Sequence, residues 1–406
     1  MTLEFGRATL ARAEELSRLG KDANQIAAIL CDRDSEGYNF GIGIVIESDG
    51  KPMKSSKTLL DALHRELESC EYGRYLNSAD AMAAFKAKML EFQGVPRSLW
   101  DAFEIAVPSD AGTGAVKLAL EYAFAKNDAL NALHVEELGW PAYRSMATAL
   151  RKGFAEVPME GIVEAPSALP VYQAGPLNTT GLVHDVALIE ARAESAAKRQ
   201  VPVVLDRAYP GFEFTHQLGE VGYAAVVRKS YELQIEPYVK RGVPLVVACS
   251  PTKSFASFSL RPAGLVMAFC PDKSQQPNVA RLLATLVRAR GSAFEHPVTR
   301  AFVRAVVSDL PALQRDHEAV LRRIGESELQ WRRLVRGTAI EPLYGARYAG
   351  LYRNPRVKPE GAAALYSKHL YPVISSGRCR HNVTGLVADP TIAGEHVRAF
   401  AEQCTE

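Results

Sequence analysis

Between about residue 56 and about residue 300, short apolar runs alternate with longer amphipathic stretches, and this alternation constrains the fold more than any other feature of the chain. The runs "PVVLDRAY", "VPLVVACS" and "AGLVMAFC" are short and apolar and read as strands. "NALHVEEL" and "LPVYQAG" also read as strands. The stretches "SKTLLDALHRELESC", "SADAMAAFKAKMLEF", "TGAVKLALEYAFAK" and "DVALIEARAESAAKR", and a segment near "AVVRKSYELQIEPYVKRG", carry the periodicity of helices. Strands and helices in alternation build a mostly parallel sheet covered by helices. After about residue 297 the pattern changes to long charged helices, then to strand-like pieces through "YPVISSG" and a last helix "TIAGEHVRAFAEQ". The expected division is a large α/β domain over 56–300 and a smaller α+β domain from 1–55 and 301–406.

A chain of 406 residues has room for two such domains. Its 48 basic and 46 acidic side chains leave a net charge of +2, which offers no field suited to nucleic acid or an anionic membrane surface. The six cysteines are widely spaced without a C-x-x-C pair, so neither a zinc site nor a disulfide framework is expected, and reduced thiols fit a cytoplasmic protein. Nine histidines without ligand spacing predict no metal centre. The first twenty residues mix acids with apolar side chains and do not read as a signal peptide. No apolar run approaches the roughly eighteen residues of a membrane span. Gly41-Ile42-Gly43 lacks the third glycine and the following helix of a dinucleotide fingerprint. The basic stretch "GARYAGLYRNPRVKPEG" reads as a solvated turn.

Ligands of open α/β sheets bind beyond the carboxyl ends of the strands. Three polar clusters stand there: "NTTG" (Asn178 to Gly181), "DRAYPGF" (Asp206 to Phe212) and "SPTK" (Ser250 to Lys253). Singly they read as a turn, a helix cap and a snorkelling lysine. Together they bring an amide, a carboxylate, a phenol and a lysine to one sheet edge, the convergence that a cofactor site needs. Lys253 discriminates. A buried lysine near another cation such as Arg261 loses its proton more readily, and a neutral amine condenses with an aldehyde. Pyridoxal phosphate uses this chemistry, and it also needs a carboxylate at its ring nitrogen, hydrogen bonds at its ring oxygen and an anion site. Asp206 can supply the first, and Tyr209 and Asn178 the second. Arg261, Ser250 and the turn from Ala111 to Ala115, which opens a helix, can supply the third.

The order Asn-x-x-Gly, Asp-x-x-Tyr, Ser-x-x-Lys and an arginine eight positions later resembles the class I, fold-type I pyridoxal-phosphate aminotransferases, most of all the aspartate and aromatic amino acid subgroup. The similarity covers most of the chain. "NFGIGIVIESDGKPM" resembles the family's early glycine segment, "YLNSADAMAAF" its next helix, and "GWPAY" the strand end whose aromatic residue stacks on the cofactor. The resemblance implies a mainly parallel seven-stranded sheet between helices, a smaller α+β domain, and a homodimer with shared active sites. It implies Lys253 as Schiff-base lysine and proton shuttle, Asp206 as partner of the ring nitrogen, Asn178 and Tyr209 at the ring oxygen, and Trp140 stacked on the ring. Gly112, Thr113, Ser250 and Arg261 would hold the phosphate, with Tyr75 reaching in from a partner subunit and Tyr72 close by.

For the substrate, the resemblance implies Gly43 beside it and an arginine on its α-carboxylate. "SSGRCRHNVTGL" offers two: alignment on "NVTGL" selects Arg380, alignment on the preceding Ser-Gly selects Arg378, and the asparagine two positions after Arg380 favours Arg380. "LVRARGSAFEHP" implies Arg288 for a distal carboxylate, with Arg290 as its competitor. Three departures stand out. Tyr143 occupies the place of the family's histidine three residues after the stacking tryptophan. The family's N-terminal arm is not recognisable, and "RPAGL" carries one extra residue.

The activity implied is transfer of an amino group between a dicarboxylic or aromatic L-amino acid and a 2-oxo acid such as 2-oxoglutarate. The same electron sink also serves lyases, and a non-catalytic dimer would keep the fold without the chemistry.

Overall fold

The computed structural model describes residues 3–69, 79–108, 110–258, 260–261, 263–291, 296–387 and 389–406. The chain forms two compact units, a large one from Lys54–Gly175 and His184–Leu321 and a small one from Met1–Met53, Pro176–Val183 and Arg322–Glu406.

The large unit is built on seven strands: β1 (Phe103–Ala106), β2 (Ala132–Glu136), β3 (Gly153–Val157), β4 (Ala168–Gln173), β5 (Val203–Arg207), β6 (Leu245–Cys249) and β7 (Leu265–Phe269). Their order is β1-β7-β6-β5-β4-β2-β3. Every pair from β3 across to β6 is parallel, and β7 is antiparallel to both β6 and β1. Every residue of β4, β6 and β7 is buried, which is why their sequences are near-continuous apolar runs. The helix Ala111–Lys126 buries Ala115, Leu118, Ala119 and Ala123 on the sheet, its small side chains permitting close approach. Two strands were not foreseen: "FEIA" of β1 is very short, and "GFAEV" of β3 is a half-exposed edge without a clean period.

One consequence of the strand order sets up the site. Because β7 pairs antiparallel with β6, with Cys249 opposite Leu265, the connection between them leaves and returns at the same end of the sheet. Both Lys253 and Arg261 are therefore held at the carboxyl end of β6.

The small unit contains β8 (Tyr352–Arg353), β9 (Arg356–Val357), β10 (Val373–Ser375), β11 (Arg378–Asn382) and β12 (Cys404–Thr405). They run in the order β10-β11-β9-β12, with β8 also paired to β11. Phe40, Trp331, Tyr344, His381 and Phe400 form its aromatic core. The stretch expected to be a solvated turn instead buries Leu351 to Pro355. Arg353 is fully enclosed, its Nη2 donating to Glu328 at 2.8 Å and its Nη1 to three backbone carbonyls, so its charge is balanced internally.

The units depart from the expected boundaries in two places. Residues 301–321 lie in the large unit, because Phe302, Val306, Leu310 and Leu313 pack into its core while the helix Pro297–Leu334 runs on past them. The change of pattern near residue 297 marks the start of a helix, not of a unit. Pro176–Val183 lies in the small unit although it joins β4 to the helix Val186–Arg199 of the large one. Gly181 explains this. Its φ is +78°, and a Cβ there would lie 2.3 Å from the Tyr352 carbonyl oxygen, so only glycine lets the segment lie against β8.

Among the described residues no helix is long and apolar enough to cross a membrane, and no group of three or more His, Cys, Asp or Glu side chains is arranged to hold a metal ion.

Candidate active site

Sheet register brings the large unit's candidate residues together. Asp206 lies opposite Gln173 of β4 and Ala248 of β6, so the ends of three parallel strands stand side by side. Asp206 is half-buried as a whole residue, and Tyr209, just beyond β5, is buried against Phe212. Ser250 directly follows β6, and Lys253 lies on the short helix Pro251–Ser254.

The two cations of the β6–β7 connection share one aromatic ring. Lys253 Nζ lies 4.7 Å from the centroid of Phe258 and the Arg261 guanidinium carbon 5.2 Å from it. Arg261 is exposed and Lys253 half-buried. Phe258 was not among the sequence candidates. An exposed aromatic residue has no sequence mark of function, and only its position between two candidate cations picks it out.

The first turn of Ala111–Lys126 abuts the same loop. A Cβ on Gly112 would lie 2.5 Å from Ser250 Oγ, so this position admits no side chain without displacing the serine. Gly264, just beyond Arg261, approaches as closely: a Cβ there would lie 2.2 Å from the Ala111 carbonyl oxygen. Gly112, Ser250 and the Arg261 loop thus converge on a helix start, whose free N–H groups favour an anion. Thr113 is exposed on that turn.

Trp140 follows β2 and meets Tyr143 edge-on, with ring centroids 5.4 Å apart. The Tyr143 hydroxyl donates to Asp206 Oδ2 at 2.6 Å. Burial lifts the Asp206 carboxyl to about 6, opposed by this hydrogen bond, and among the described residues no cation pairs with it. Burial, followed by the Asp206 carboxylate, pushes the Tyr143 phenol well above its usual value. Spacing from Trp140 had singled out Tyr143 as a departure, and the structure puts its hydroxyl on the central carboxylate.

In the small unit Asn178 is part of the turn from Leu177 to Leu182, closed by Gly181 N–H donating to the Leu177 carbonyl at 2.7 Å. A second cluster forms around β11. Arg380 is buried, stacks on Tyr352 at 4.6 Å, and its Nη2 donates to Asn24 Oδ1 at 2.5 Å and to the Gly41 carbonyl at 3.2 Å. Its Nε has no hydrogen-bond acceptor, and among the described residues no carboxylate pairs with it. Asn382 Nδ2 donates to the carbonyls of Ile42 and Ile44, tying the segment of Gly43 to the same strand. Arg378 is only half-buried and donates to the Asn354 carbonyl. Asn24 was missed because an asparagine in the first turn of a helix has an ordinary local role.

Arg288 and Arg290 both lie on the helix Gln276–Gly291, the first exposed and the second bound to Asp110 and Glu121. Tyr75 and Tyr72 lie outside the described residues.

Residues 39–332 match the family model for class I and II aminotransferases. The chain belongs to that family. No curated protein sequence matches it. Among solved structures, an aromatic-amino-acid aminotransferase from Burkholderia pseudomallei, covalently bound to pyridoxal phosphate, superposes with a TM-score of 0.72 at 20% identity, covering 91% of this chain and 94% of that one. The cytoplasmic aspartate aminotransferase of Giardia lamblia gives a TM-score of 0.73 at 17% identity, with coverage of 94% and 95%. The aspartate aminotransferase of Plasmodium falciparum gives a TM-score of 0.74 at 17% identity, with coverage of 94% and 97%. The protein is thus a fold-type I, pyridoxal-phosphate-dependent aminotransferase. Its residues fit the cofactor: the Gly112–Ser250 approach forms a cradle at a helix start, and Asp206 is a desolvated carboxylate suited to a cationic ring nitrogen.

Proposed function

We propose that this aminotransferase, acting as a homodimer, moves an amino group between a dicarboxylic or aromatic L-amino acid and a 2-oxo acid such as 2-oxoglutarate. When bound, pyridoxal phosphate supplies an electron sink for the bond broken at the substrate α-carbon. The single observation that carries the assignment of the site is Asp206, desolvated at the strand ends with only a phenol on Oδ2. As a carboxylate, Asp206 would accept a hydrogen bond from the protonated ring nitrogen. Tyr209 and Asn178 hydrogen-bond the ring oxygen, and Trp140 covers a ring face.

Gly112, Thr113, Ser250 and Arg261 hold the phosphate, the first two through backbone N–H groups at the helix start. Lys253 would anchor the aldehyde end, and its freed Nζ would accept the proton leaving the α-carbon of the donor and, in the reverse half-reaction, supply the one gained by the α-carbon of the product amino acid. Arg380 grips the α-carboxylate beside Gly43; a buried guanidinium with an unused Nε–H and no acid of its own is suited to a bidentate carboxylate. Arg288 reads a distal carboxylate.

The test is a panel of L-amino acids incubated with 2-oxoglutarate, with glutamate measured. Glutamate formed in step with each oxo acid is the expected result. Ammonia or pyruvate release without glutamate would mean lyase chemistry and overturn the proposal.

A further inference from the structure

We infer that Tyr143 is a positioning residue whose phenol, acting only as a hydrogen-bond donor, holds Asp206 as the anionic partner of the cofactor's ring nitrogen. This rests on the reading of Asp206 proposed above. Three observations carry it. The Tyr143 hydroxyl lies 2.6 Å from Asp206 Oδ2. Its ring is fully enclosed and set edge-on against Trp140, so the hydroxyl has one direction to point. Glu136, at the end of β2 and within electrostatic reach of the phenol, is buried and held by Arg192 Nη2 at 2.7 Å and His184 Nε2 at 2.6 Å.

Burial first, and then the Asp206 carboxylate it touches with a smaller contribution from Glu136, keep the proton on this phenol. Tyr143 therefore donates to Asp206 and never accepts from it. A histidine in this position can be neutral or cationic near neutral pH and would pass its own titration to the carboxylate. Tyrosine removes that second variable.

The other groups around the pair do not compete for the role. Tyr209 neighbours Tyr143 from beyond β5, and Cys249 of β6 is a buried thiol pushed up to about 12. Arg207, next along β5, turns its guanidinium to Gln93 and Ser230 instead. Lys253 belongs to the β6–β7 connection and is unchanged in the variants below.

The purified enzyme is stripped of pyridoxal phosphate and refilled at a series of pH values, and cofactor affinity is read from the visible absorbance. Four proteins are compared: wild type, Tyr143→Phe, Tyr143→His and Asp206→Asn. The cofactor phosphate and Lys253 titrate in all of them, so differences report on Asp206. Loss of the donor moves the acid limit of binding in Tyr143→Phe up by about one pH unit, making its affinity about tenfold weaker than wild type near pH 6. Tyr143→His, cationic below its own titration, moves the limit down. Superimposed profiles of wild type and a folded Tyr143→Phe overturn the inference. Should the phenylalanine variant not fold, a histidine profile identical to wild type does the same. If Asp206→Asn binds the cofactor as wild type does, the reading of Asp206 itself fails; a normal Tyr143→Phe beside a defective Asp206→Asn removes only the role of Tyr143.

Discussion

Arg290 Nη1 lies 2.5 Å from Asp110 Oδ2, and Asp110 is the residue that precedes the helix Ala111–Lys126. The same guanidinium reaches Glu121 on that helix at 2.8 Å, so both of its donor arms are committed within its own unit. It also neutralises an acid beside a helix start that is expected to receive a phosphate.

Arg290→Ala is therefore expected to destabilise the protein by about 1 kcal/mol, the scale of partly exposed ion pairs, and to weaken cofactor binding. Arg288→Ala should leave stability unchanged within about 0.5 kcal/mol and raise KM for dicarboxylic substrates alone. Urea unfolding and substrate kinetics of the two variants separate the roles; the reverse pattern would exchange them.

Lys253→Ala removes the only amine proposed for the aldehyde. Turnover should fall by roughly a thousandfold or more, and the visible absorbance of the bound cofactor should change to that of free aldehyde. Spectra and rates taken on one preparation check both.

Arg380→Ala should raise KM for every amino acid by about a hundredfold, the loss of a charge-assisted bidentate contact. Arg378→Ala should change KM less than about threefold. Asn24→Ala, which frees one arm of Arg380, should raise KM by about tenfold with kcat little altered. Equal effects of Arg378 and Arg380 would refute the choice between them.

His317 is fully buried, with Tyr223 hydroxyl at 3.0 Å from Nδ1, and burial holds its imidazole down at about 3. Its folded value lies below the unfolded one of about 6.5, so the unfolded chain binds more protons between these limits. The contribution to stability is complete above about pH 6.5 and is lost as pH falls toward 3. Unfolding free energies measured at pH 7, 5 and 4 should decline by up to roughly 3 kcal/mol more in wild type than in His317→Gln.

Much of this was legible in the sequence, for identifiable reasons. Val246 and Val247 announce β6 because a strand covered on both faces has to be apolar throughout, and the polar residues that follow it then mark the sheet's carboxyl end. The short β1 and the exposed β3 carry no such pattern. Tyr143 was visible only as a spacing from Trp140; that its hydroxyl reaches Asp206 depends on the register of β2, β4 and β5, which no local pattern encodes. Asn24 and Arg380 are 356 residues apart, and nothing in either neighbourhood announces the other. Two ways of aligning the segment point to different arginines, and the structure buries Arg380 while leaving Arg378 half-buried.

The segment Pro176–Val183 has a further consequence for how the chain matures. Its docking surface is supplied by residues near Tyr352, and Val183 N–H donates to the Arg347 carbonyl. Chain closure over so long a separation is slow and comes late. During synthesis the large sheet through β7 can assemble while this segment still lacks its partner. Asn178 then reaches its final conformation only after residues 347–352 have emerged, so the contact proposed for it with the cofactor is expected to form later than the sheet-end part of the site.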